Sequence, residues 1–458
     1  MDTSTGPDER PSSARAWLAP TLLFVGLFCV YALTISHSQL SLDVYGTNWT
    51  TWHLASTGRP WIDGTPIPEL HHHQTQVLIV TGQNGHTAFG RFPGAVVAAL
   101  PAYLVAQGAT MTTVPGGLTA ALVTAGAVVL MLLTLRRHLP ASLAWLSTLA
   151  FGLATPMWSV AANGMWPHTI TLLGISGMAW ASTNRRWWWV GIFGGITLWG
   201  RLHAALIPAV LGLLLGWQRR DRGIVVRIGV ASGGFLVGYC AWVRYMYGTW
   251  NPAGAYGSTT TGMVDGGRQY WLNPVNQLGM WVAPDRGILV WTPIVLLLVP
   301  ALVRSWRHLP DWSRSLLISG LVYTIIESEL NTFTGGDVFY GYRYGLELLG
   351  CATPALALSA PRMGSVARWL AGPVLAVELL ATALGAVSDG QWLLEDAVWR
   401  DNAFVHAVND TGAPGWVLVA FFAGLGLLAG MAWMRRTRPG ADQPSTQRTS
   451  TGSPTRVS

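Results

Sequence analysis

The chain has 458 residues, of which 51% are hydrophobic and only 11% are charged. A soluble globular protein carries about 25% charged residues, so this composition excludes an ordinary soluble domain and indicates a membrane protein. The net charge of +7 comes from arginine, because the sequence contains no lysine. Cys29, Cys240 and Cys351 lie inside apolar runs, without the spacing of a metal site or a disulfide framework.

Apolar runs recur along the chain, and several approach the roughly 20 residues that a helix needs to cross a bilayer. Because backbone groups inside lipid must bond one another, such runs predict an all-α helical bundle. Arginine collects in cytoplasmic loops, and two apolar runs separate each arginine cluster from the next. This alternation predicts about twelve transmembrane helices, in a range of about eleven to thirteen. They are placed near 17–35, 115–135, 140–160, 167–182, 187–200, 202–217, 225–246, 287–303, 314–331, 346–361, 367–387 and 415–434.

The same alternation divides the chain into three parts. Residues 1–16 are a cytoplasmic leader, 17–436 are the transmembrane domain, and 437–458 are a cytoplasmic tail whose Ser-, Thr- and Pro-rich composition predicts disorder. The segment 93–108 is apolar but short and contains prolines, which predicts a juxtamembrane or re-entrant helix. Most other polar residues fall into outer loops, where chemistry is sought. These loops are 36–114, 247–286, 332–345 and 388–414.

Asp43 follows the first predicted span closely. A carboxylate held at the membrane surface is placed to accept a proton from an acceptor hydroxyl, beside a lipid-phosphate leaving group. The alternative is a solvated aspartate that caps the N-terminus of a helix, which is a common use of this residue.

The first outer loop also contains histidines and an arginine. His71, His72 and His73 are consecutive, and adjacent side chains point in different directions, so they do not all ligate one ion on a regular backbone. His71, His73 and His86 are candidates for a divalent metal, with ordinary interfacial histidines as the alternative. No other cofactor is indicated. Arg91, beside a Pro-Gly turn, is a candidate for binding phosphate.

Two polar groups stand at the outer starts of predicted spans. Trp166 and His168 belong to a Trp-Pro-His sequence. This histidine either polarises a phosphate or a sugar hydroxyl, or bonds a neighbouring loop. Arg201 and His203 begin another span, and an arginine at that depth is costly without a partner, so an anionic ligand or a carboxylate is expected beside it.

The later outer segments add aromatic and charged candidates. Tyr256 lies in a glycine-rich stretch whose aromatic residues form either an interfacial belt or a platform for sugar rings. Arg286 has the planar fork that binds a phosphate headgroup, with snorkelling as the alternative. Glu327 and Glu329 lie near the outer end of a span, and each is expected to pair with an arginine.

The last motif is a glycine-rich outer turn. It positions Asp337, Tyr342 and Arg343 close to the start of a span. Glycines there let the backbone pack closely against a ligand or lipid.

In their order, these pieces resemble the GT-C glycosyltransferases, in the branch that uses polyprenyl-phosphate sugars and includes protein O-mannosyltransferases and aminoarabinose transferases. The resemblance covers residues 17–360. It consists of an acidic residue after the first span, a Phe-Pro-Gly element, the Trp-Pro-His, and the sequences PDRGILVWTP and GGDVFYGYRY. These pieces begin at Asp43, Phe92, Trp166, Pro284 and Gly335.

The resemblance implies a catalytic base and displacement of the sugar from its lipid phosphate with inversion. Asp43 takes the role of that base. His168, named with it as catalytic, stands where several relatives have a second acidic residue, which departs from a two-carboxylate mechanism. The candidates for binding the donor phosphate are Arg91, Arg201, Arg286, Arg343 and His203. The candidates for binding acceptor or sugar are Trp166, Tyr256, Asp337 and Tyr342.

The implied reaction moves a sugar of the mannose or arabinose type to a hydroxyl of a glycan, glycolipid or protein. It would occur at the outer face of a bacterial plasma membrane, with both termini cytoplasmic, membrane lipids around the protein and no nucleic acid. Two alternatives are a flippase or transporter of lipid-linked saccharides, expected to line its spans with ionisable residues, and an O-antigen-type polymerase or ligase, expected not to depend on Asp43. The Ala-, Gly- and Arg-rich composition indicates a high-GC bacterium, such as an actinobacterium, and a role in its cell envelope.

Overall fold

A computed structural model shows an almost entirely helical chain with one small sheet in its described part. The helical class predicted from the sequence is therefore confirmed. The structure describes residues 13–37, 41–65, 79–256, 273–336, 338–388 and 397–410, and short stretches between 412 and 424.

The first part of the chain, in its described residues, contains three helices and a pair of short strands. In chain order they are α1 (Ser13–Ala32), α2 (Leu42–Thr57), β1 (Ile79–Thr81), β2 (Thr87–Phe89) and α3 (Pro93–Ala106). The two strands form an antiparallel hairpin that the sequence analysis did not predict. Its turn is tied to the end of a later helix, because the Gln83 N–H donates to the Tyr247 carbonyl at 2.8 Å.

A series of apolar helices follows. They are α4 (Val114–Leu135), α5 (Ala141–Leu153), α6 (Pro167–Thr183), α7 (Trp187–Gly200), α8 (Leu206–Gln218) and α9 (Arg222–Tyr247). Pro167 suits the first position of α6, where its missing N–H would have no partner within the helix. A π-helical turn at Met157–Ala161 follows α5, and a 3-10 turn at Leu202–Ala205 joins α7 to α8.

The last third of the chain is again helical. Its helices are α10 (Pro274–Val282), α11 (Ile288–Trp291), α12 (Ile294–Ser305), α13 (Asp311–Leu330), α14 (Leu346–Ser359), α15 (Ser365–Val387) and α16 (Ala403–Asp410). The span predicted at 287–303 is interrupted between α11 and α12, because Pro293 has no N–H with which to continue the helix.

Three helices in the described part are long and apolar enough to cross a membrane, namely α4, α9 and α15. Shorter apolar helices include Trp17–Ala32, Pro93–Ala106, Ala141–Leu153 and Leu202–Gln218. The predicted number of about twelve spans is therefore not confirmed and stays a prediction. The segments predicted at 167–182 and 187–200 do coincide with α6 and α7.

Close packing holds the apolar helices together, as bilayer helices require when lipid removes the hydrophobic driving force between them. Glycines make this approach possible: a Cβ at Gly174 or Gly177 of α6 would collide with Thr197 or Phe193 of α7. At the C-terminal ends of α1 and α15, the Asn163 amide donates to the carbonyls of Thr34 (2.6 Å) and Ala386 (3.2 Å). It thereby links the chain just after α1 to the end of α15.

Candidate active site

Asp43 lies in the first turn of α2. The helix is capped by Ser41, whose hydroxyl accepts the Asp43 N–H at 3.2 Å. Because Ser41 occupies the cap, the alternative role of Asp43 as the N-cap is not observed. The Asp43 side chain is instead 22% exposed and points to two arginines.

The carboxylate of Asp43 lies between Arg91 and Arg343. Its Oδ1 accepts from Arg91 Nη1 at 2.8 Å, and its Oδ2 accepts from Arg343 Nη1. Such charge-assisted bonds are roughly twice as strong as bonds between neutral groups. The fold thus brings together three sequence-predicted site residues from the start of α2, the loop after the hairpin and the turn before α14.

Arg91 is held rigidly. Its Nη2 donates to the Leu42 carbonyl at 2.9 Å, and its backbone N–H donates to the Tyr247 hydroxyl at 2.8 Å. The side chain is 3% exposed and passes so close to α2 that a Cβ at Gly46 would lie 2.5 Å from Arg91 Nε. Arg91 is therefore fixed by protein contacts, and its bond to Asp43 holds one oxygen of that carboxylate.

The side chain of Arg343 is more exposed than that of Arg91. Its side chain is 11% exposed, and its Nη2 donates to the Tyr344 hydroxyl at 3.1 Å. The guanidinium carbon lies 5.3 Å, 5.4 Å and 4.8 Å from the ring centres of Trp166, Phe339 and Tyr344. The turn that carries it needs Gly335, which has a φ of 72° and approaches Arg343 Nε to the point where a Cβ would lie at 3.1 Å.

Buried donors at this place are unused. Arg91 Nε, Arg343 Nε and Trp166 Nε1 have no hydrogen-bond partner among the described residues. A buried donor without a partner costs about 1 to 3 kcal/mol, so a ligand that supplies acceptor oxygens would be favoured here. Phosphate and sugar hydroxyl groups supply such oxygens.

Electrostatics keep Asp43 ionised. Burial alone raises the pKa of its carboxyl group, but the positive charges of Arg343 and Arg91 lower it by more. The net pKa therefore lies well below the usual range of aspartate. Bound by both arginines, Asp43 is therefore fully charged but a weak base.

A second charged group surrounds Glu327 near the end of α13. Its Oε1 accepts from Arg201 Nη2 at 2.9 Å, and its Oε2 is bonded to His203 Nε2. The Tyr323 hydroxyl donates to Oε2 at 3.1 Å. The carboxylate expected beside Arg201 and the arginine expected beside Glu327 are thus confirmed.

Glu329 does not follow that expectation. It accepts from the Gln277 side-chain amide at 2.8 Å, and no arginine in the described part of the chain forms a salt bridge with it. Its place at the end of α13 lets the amide of α10 take the role that an arginine was expected to fill.

His168 is bound to a carboxylate that the sequence analysis missed. Its Nδ1 lies 2.8 Å from Glu347 Oε1, to which the Thr171 hydroxyl also donates at 2.7 Å. Both His168 and Glu347 are buried. The available signal was an acidic residue in the first turn of an apolar helix, since such a residue needs a partner at that depth.

Tyr344 connects these groups. Its ring centre lies 5.0 Å from the Arg201 guanidinium carbon, 4.8 Å from that of Arg343 and 6.0 Å from the His168 ring. It stands within the quoted glycine-rich motif, but nothing in the motif distinguished it from the neighbouring tyrosines. Its position makes the Asp43, Glu327 and Glu347 groups one continuous polar region.

Three other candidates form contacts with residues other than Asp43, although Tyr256 lies near enough to Asp43 and Arg201 to interact with their charges. Arg286 is 1% exposed and pairs with Asp285 at 2.8 Å. The Tyr342 hydroxyl bonds the Thr292 hydroxyl at 2.8 Å. Tyr256 packs its ring against Phe92, with 5.5 Å between ring centres.

Of the candidate metal ligands, the structure describes His86, which pairs with an aspartate other than Asp43. His86 lies near the surface, with Nδ1 2.6 Å from Asp63 Oδ2 and its ring stacked on Trp61. His71, His73 and the sugar-site candidate Asp337 lie outside the described residues. Within the described ranges, no group of three metal-binding side chains occurs.

No protein-family model and no curated protein matches the chain. Several solved structures are similar to it. One is ArnT from Cupriavidus metallidurans in the apo state, with a TM-score of 0.46 and 14% identity over 93% of this chain and 78% of that one. Another is the Archaeoglobus fulgidus oligosaccharyltransferase in the apo form, with a TM-score of 0.44 and 8% identity over 91% and 56% of the two chains.

A third is the archaeal oligosaccharyltransferase AglB from Archaeoglobus fulgidus in complex with an inhibitory peptide and a dolichol-phosphate, with a TM-score of 0.41 and 9% identity over 93% of this chain and 59% of that one. The chain therefore spans less than two thirds of the length of either oligosaccharyltransferase.

Proposed function

We propose that the chain is a membrane glycosyltransferase that moves a sugar from a polyprenyl-phosphate donor to an acceptor hydroxyl at the outer face of the membrane. The observation that carries this proposal is the Asp43 carboxylate held between Arg91 and Arg343 at the outer end of the apolar bundle. A proton acceptor and cations for a phosphate are the two chemical elements that this transfer needs. The quoted motifs that resemble GT-C enzymes supply the same roles.

In the proposed reaction the acceptor oxygen attacks the anomeric carbon of the sugar. The bond from that carbon to the phosphate oxygen breaks, and the lipid phosphate leaves as an anion. Asp43 takes the proton from the acceptor hydroxyl. A direct displacement of this kind inverts the configuration at the anomeric carbon.

Arg343 is the arginine best placed to receive the donor phosphate. It is partly exposed, its Nε is unused, and its guanidinium carbon lies 5.3 Å from the centre of the Trp166 ring, whose Nε1 is also unused. A phosphate bound there would compete with Asp43 for Arg343, while Arg91 would keep Asp43 in place. Part of the charge that lowers the pKa of Asp43 would then be shared with the phosphate, which would make Asp43 a stronger base once the donor is bound.

The remaining predicted residues have supporting roles in this proposal. Arg201 and His203 are already paired with Glu327, so they are less available to a phosphate than Arg343. His168, oriented by Glu347, faces the ring of Tyr344 and completes the polar wall. The apolar helices below accommodate the lipid tail. A mannose- or arabinose-type sugar and a glycan, glycolipid or protein acceptor remain part of the proposal.

The flippase alternative draws on ionisable residues within the spans. Glu378 is such a residue in α15. However, its Oε1 accepts the Ile294 N–H at 2.6 Å at the start of α12, which gives this carboxyl group a structural role as a helix cap. Glu378 therefore does not favour a transport path over catalysis.

The experiment is turnover of polyprenyl-phosphate mannose and arabinose by the purified chain and its Asp43→Asn variant. Removal of a general base lowers kcat by about 10² to 10⁴-fold, and we expect a loss in that range. Asp43→Glu keeps a carboxylate beside Arg91 and Arg343, so it shows whether the protein folds when this residue is changed but the charge is kept. Asp63→Asn is a matched control from the same predicted loop. Full activity in Asp43→Asn, with Asp63→Asn unchanged, would reject the proposed base.

A further inference from the structure

A cavity lies at the end of the bundle remote from Asp43. It has a volume of about 590 Å³ and is lined by the end of α12, the 3-10 turn Trp306–His308 and one face of α13. α12 begins two residues after Thr292, which bonds Tyr342 in the outer region, and its 12 residues extend about 18 Å away from there. The cavity therefore opens on the side that the arginine pattern assigns to the cytoplasm.

The walls of this cavity have two different chemistries. Its rim carries Arg304, Arg307 and His308, all exposed. Its inner wall is apolar and includes Leu302, Leu317 and Leu321, the last two being one helical turn apart on α13. A basic rim over an apolar wall is complementary to an amphipathic anion.

The positive charge on the rim is not neutralised by nearby acids. None of the residues that line the cavity is acidic. Arg304 Nη2 donates to the Arg362 carbonyl at 3.2 Å, which fixes its position without changing its charge. Asp311, at the start of α13, is already bound by Arg219 through contacts of 2.6 Å and 2.8 Å. Among the described residues, Arg307 forms no salt bridge.

We infer that this cavity binds one anionic phospholipid of the cytoplasmic leaflet, with its headgroup phosphate at Arg304 and Arg307 and an acyl chain along Leu317 and Leu321. The planar fork of arginine matches phosphate oxygens in pairs, and basic pockets between membrane helices on this side select anionic headgroups. A zwitterionic lipid carries its own cation and gains less from the rim. The site is separate from the donor site and does not depend on the proposed reaction.

The first test measures lipid selectivity in the delipidated full-length protein in detergent. Native mass spectrometry and the thermal unfolding midpoint are followed during titration with phosphatidylglycerol, with phosphatidylcholine of the same acyl chains, and with glycerol phosphate. We expect phosphatidylglycerol to bind about tenfold more tightly than phosphatidylcholine. Glycerol phosphate should have little effect, because it lacks the chain that contacts α13. Equal binding of the two lipids, or equal stabilisation by glycerol phosphate, would overturn the inference.

The second test locates the site. Arg307→Gln should reduce phosphatidylglycerol affinity about tenfold while leaving phosphatidylcholine binding unchanged, and Arg307→Lys should restore part of it. Arg222→Gln is the matched control, because Arg222 is also exposed on the predicted cytoplasmic side but does not line the cavity. The same loss in both glutamine variants would show a diffuse charge effect instead of a site.

Discussion

Arg286 and Arg343 stand on the same aromatic ring but in different environments. Their guanidinium carbons lie 4.0 Å and 5.4 Å from the centre of Phe339. Arg286 is 1% exposed, pairs with Asp285 at 2.8 Å and donates to the carbonyls of Phe339 and Gly341 at 3.1 Å and 3.3 Å. Arg343 is 11% exposed and pairs with Asp43, whose side chain is 22% exposed.

This difference separates an arginine that holds the turn from one that is able to meet a ligand. The Asp285 carboxylate beside Arg286 also accepts the Ala403 N–H at 2.6 Å, so that pair joins α16 to the turn before α14. A phosphate at Arg286 would have to displace several protein contacts. At Arg343 it would compete with the side chains of Asp43 and Tyr344, at a guanidinium that is more exposed.

The largest effect is expected from Arg286→Gln, through stability. Removing one partner of a buried ion pair leaves the other charge uncompensated and costs about 3 to 5 kcal/mol. Denaturant or thermal unfolding should show this loss. The double variant Asp285→Asn/Arg286→Gln should lose less than the sum of the single changes. Additive losses would show that the pair is not coupled.

Arg343→Gln should act on turnover. Loss of a cation that stabilises the leaving phosphate costs about 3 to 4 kcal/mol in the transition state, which is a fall in kcat of about 10² to 10³-fold. Arg343→Lys should retain part of the activity because it keeps the charge. If Arg343→Gln instead destabilised the protein as much as Arg286→Gln and kept its turnover, the proposed difference between the two arginines would be wrong.

Tyr344→Phe should give a smaller change in activity. The substitution keeps the ring between Arg201 and Arg343 but removes the hydroxyl that accepts from Arg343 Nη2. One such bond to a charged group is worth about 1.5 kcal/mol, so kcat/KM should fall about tenfold. Tyr323→Phe is a useful comparison, since its hydroxyl contacts Glu327 instead. Equal losses of kcat/KM in the two variants would show that the Tyr344 hydroxyl is no more important than that of Tyr323.

The smallest effect concerns the hairpin. Burial raises the pKa of Asp63, but bonds from the Thr87 N–H and His86 lower it by more, so the net pKa is depressed. The stabilisation is therefore present above the ordinary aspartate pKa of about 4 and is lost as pH falls through the lower folded value. Hydrogen exchange at the Thr87 amide should rise at that point, and Asp63→Asn should remove this pH dependence. The exposed pair contributes less than about 1 kcal/mol.

The helical fold was largely predictable, because apolar helices can be recognised from the length of their apolar runs and from the residues that bound them. Pro167 and the arginines at 185–186 marked the limits of α6, and Trp187 and Arg201 those of α7. The hairpin was missed because its strands have three residues each, too few for a period of two to be recognised. The predicted span at 287–303 did not include the break at Pro293, although a proline inside an apolar run is a signal for one.

The site was predictable where a charge at a membrane boundary demanded a partner. That rule linked Arg201 to a carboxylate, and Glu327 is its partner. The rule did not say which of several arginines meets Asp43, because that depends on how turns distant in sequence pack. Glu347 and Tyr344 were missed for the same reason: their roles come from neighbours supplied by α6 and by the chain around Arg201.

The bond between Arg343 and Asp43 joins residues 300 positions apart. At translation rates of about 5 to 20 residues per second, roughly 15 to 60 s pass between the synthesis of the two. Asp43 and Arg91 are therefore both synthesised long before Arg343 is added. The ion pair between Asp43 and Arg343 forms late in biosynthesis, and a polypeptide released early from the ribosome would lack it.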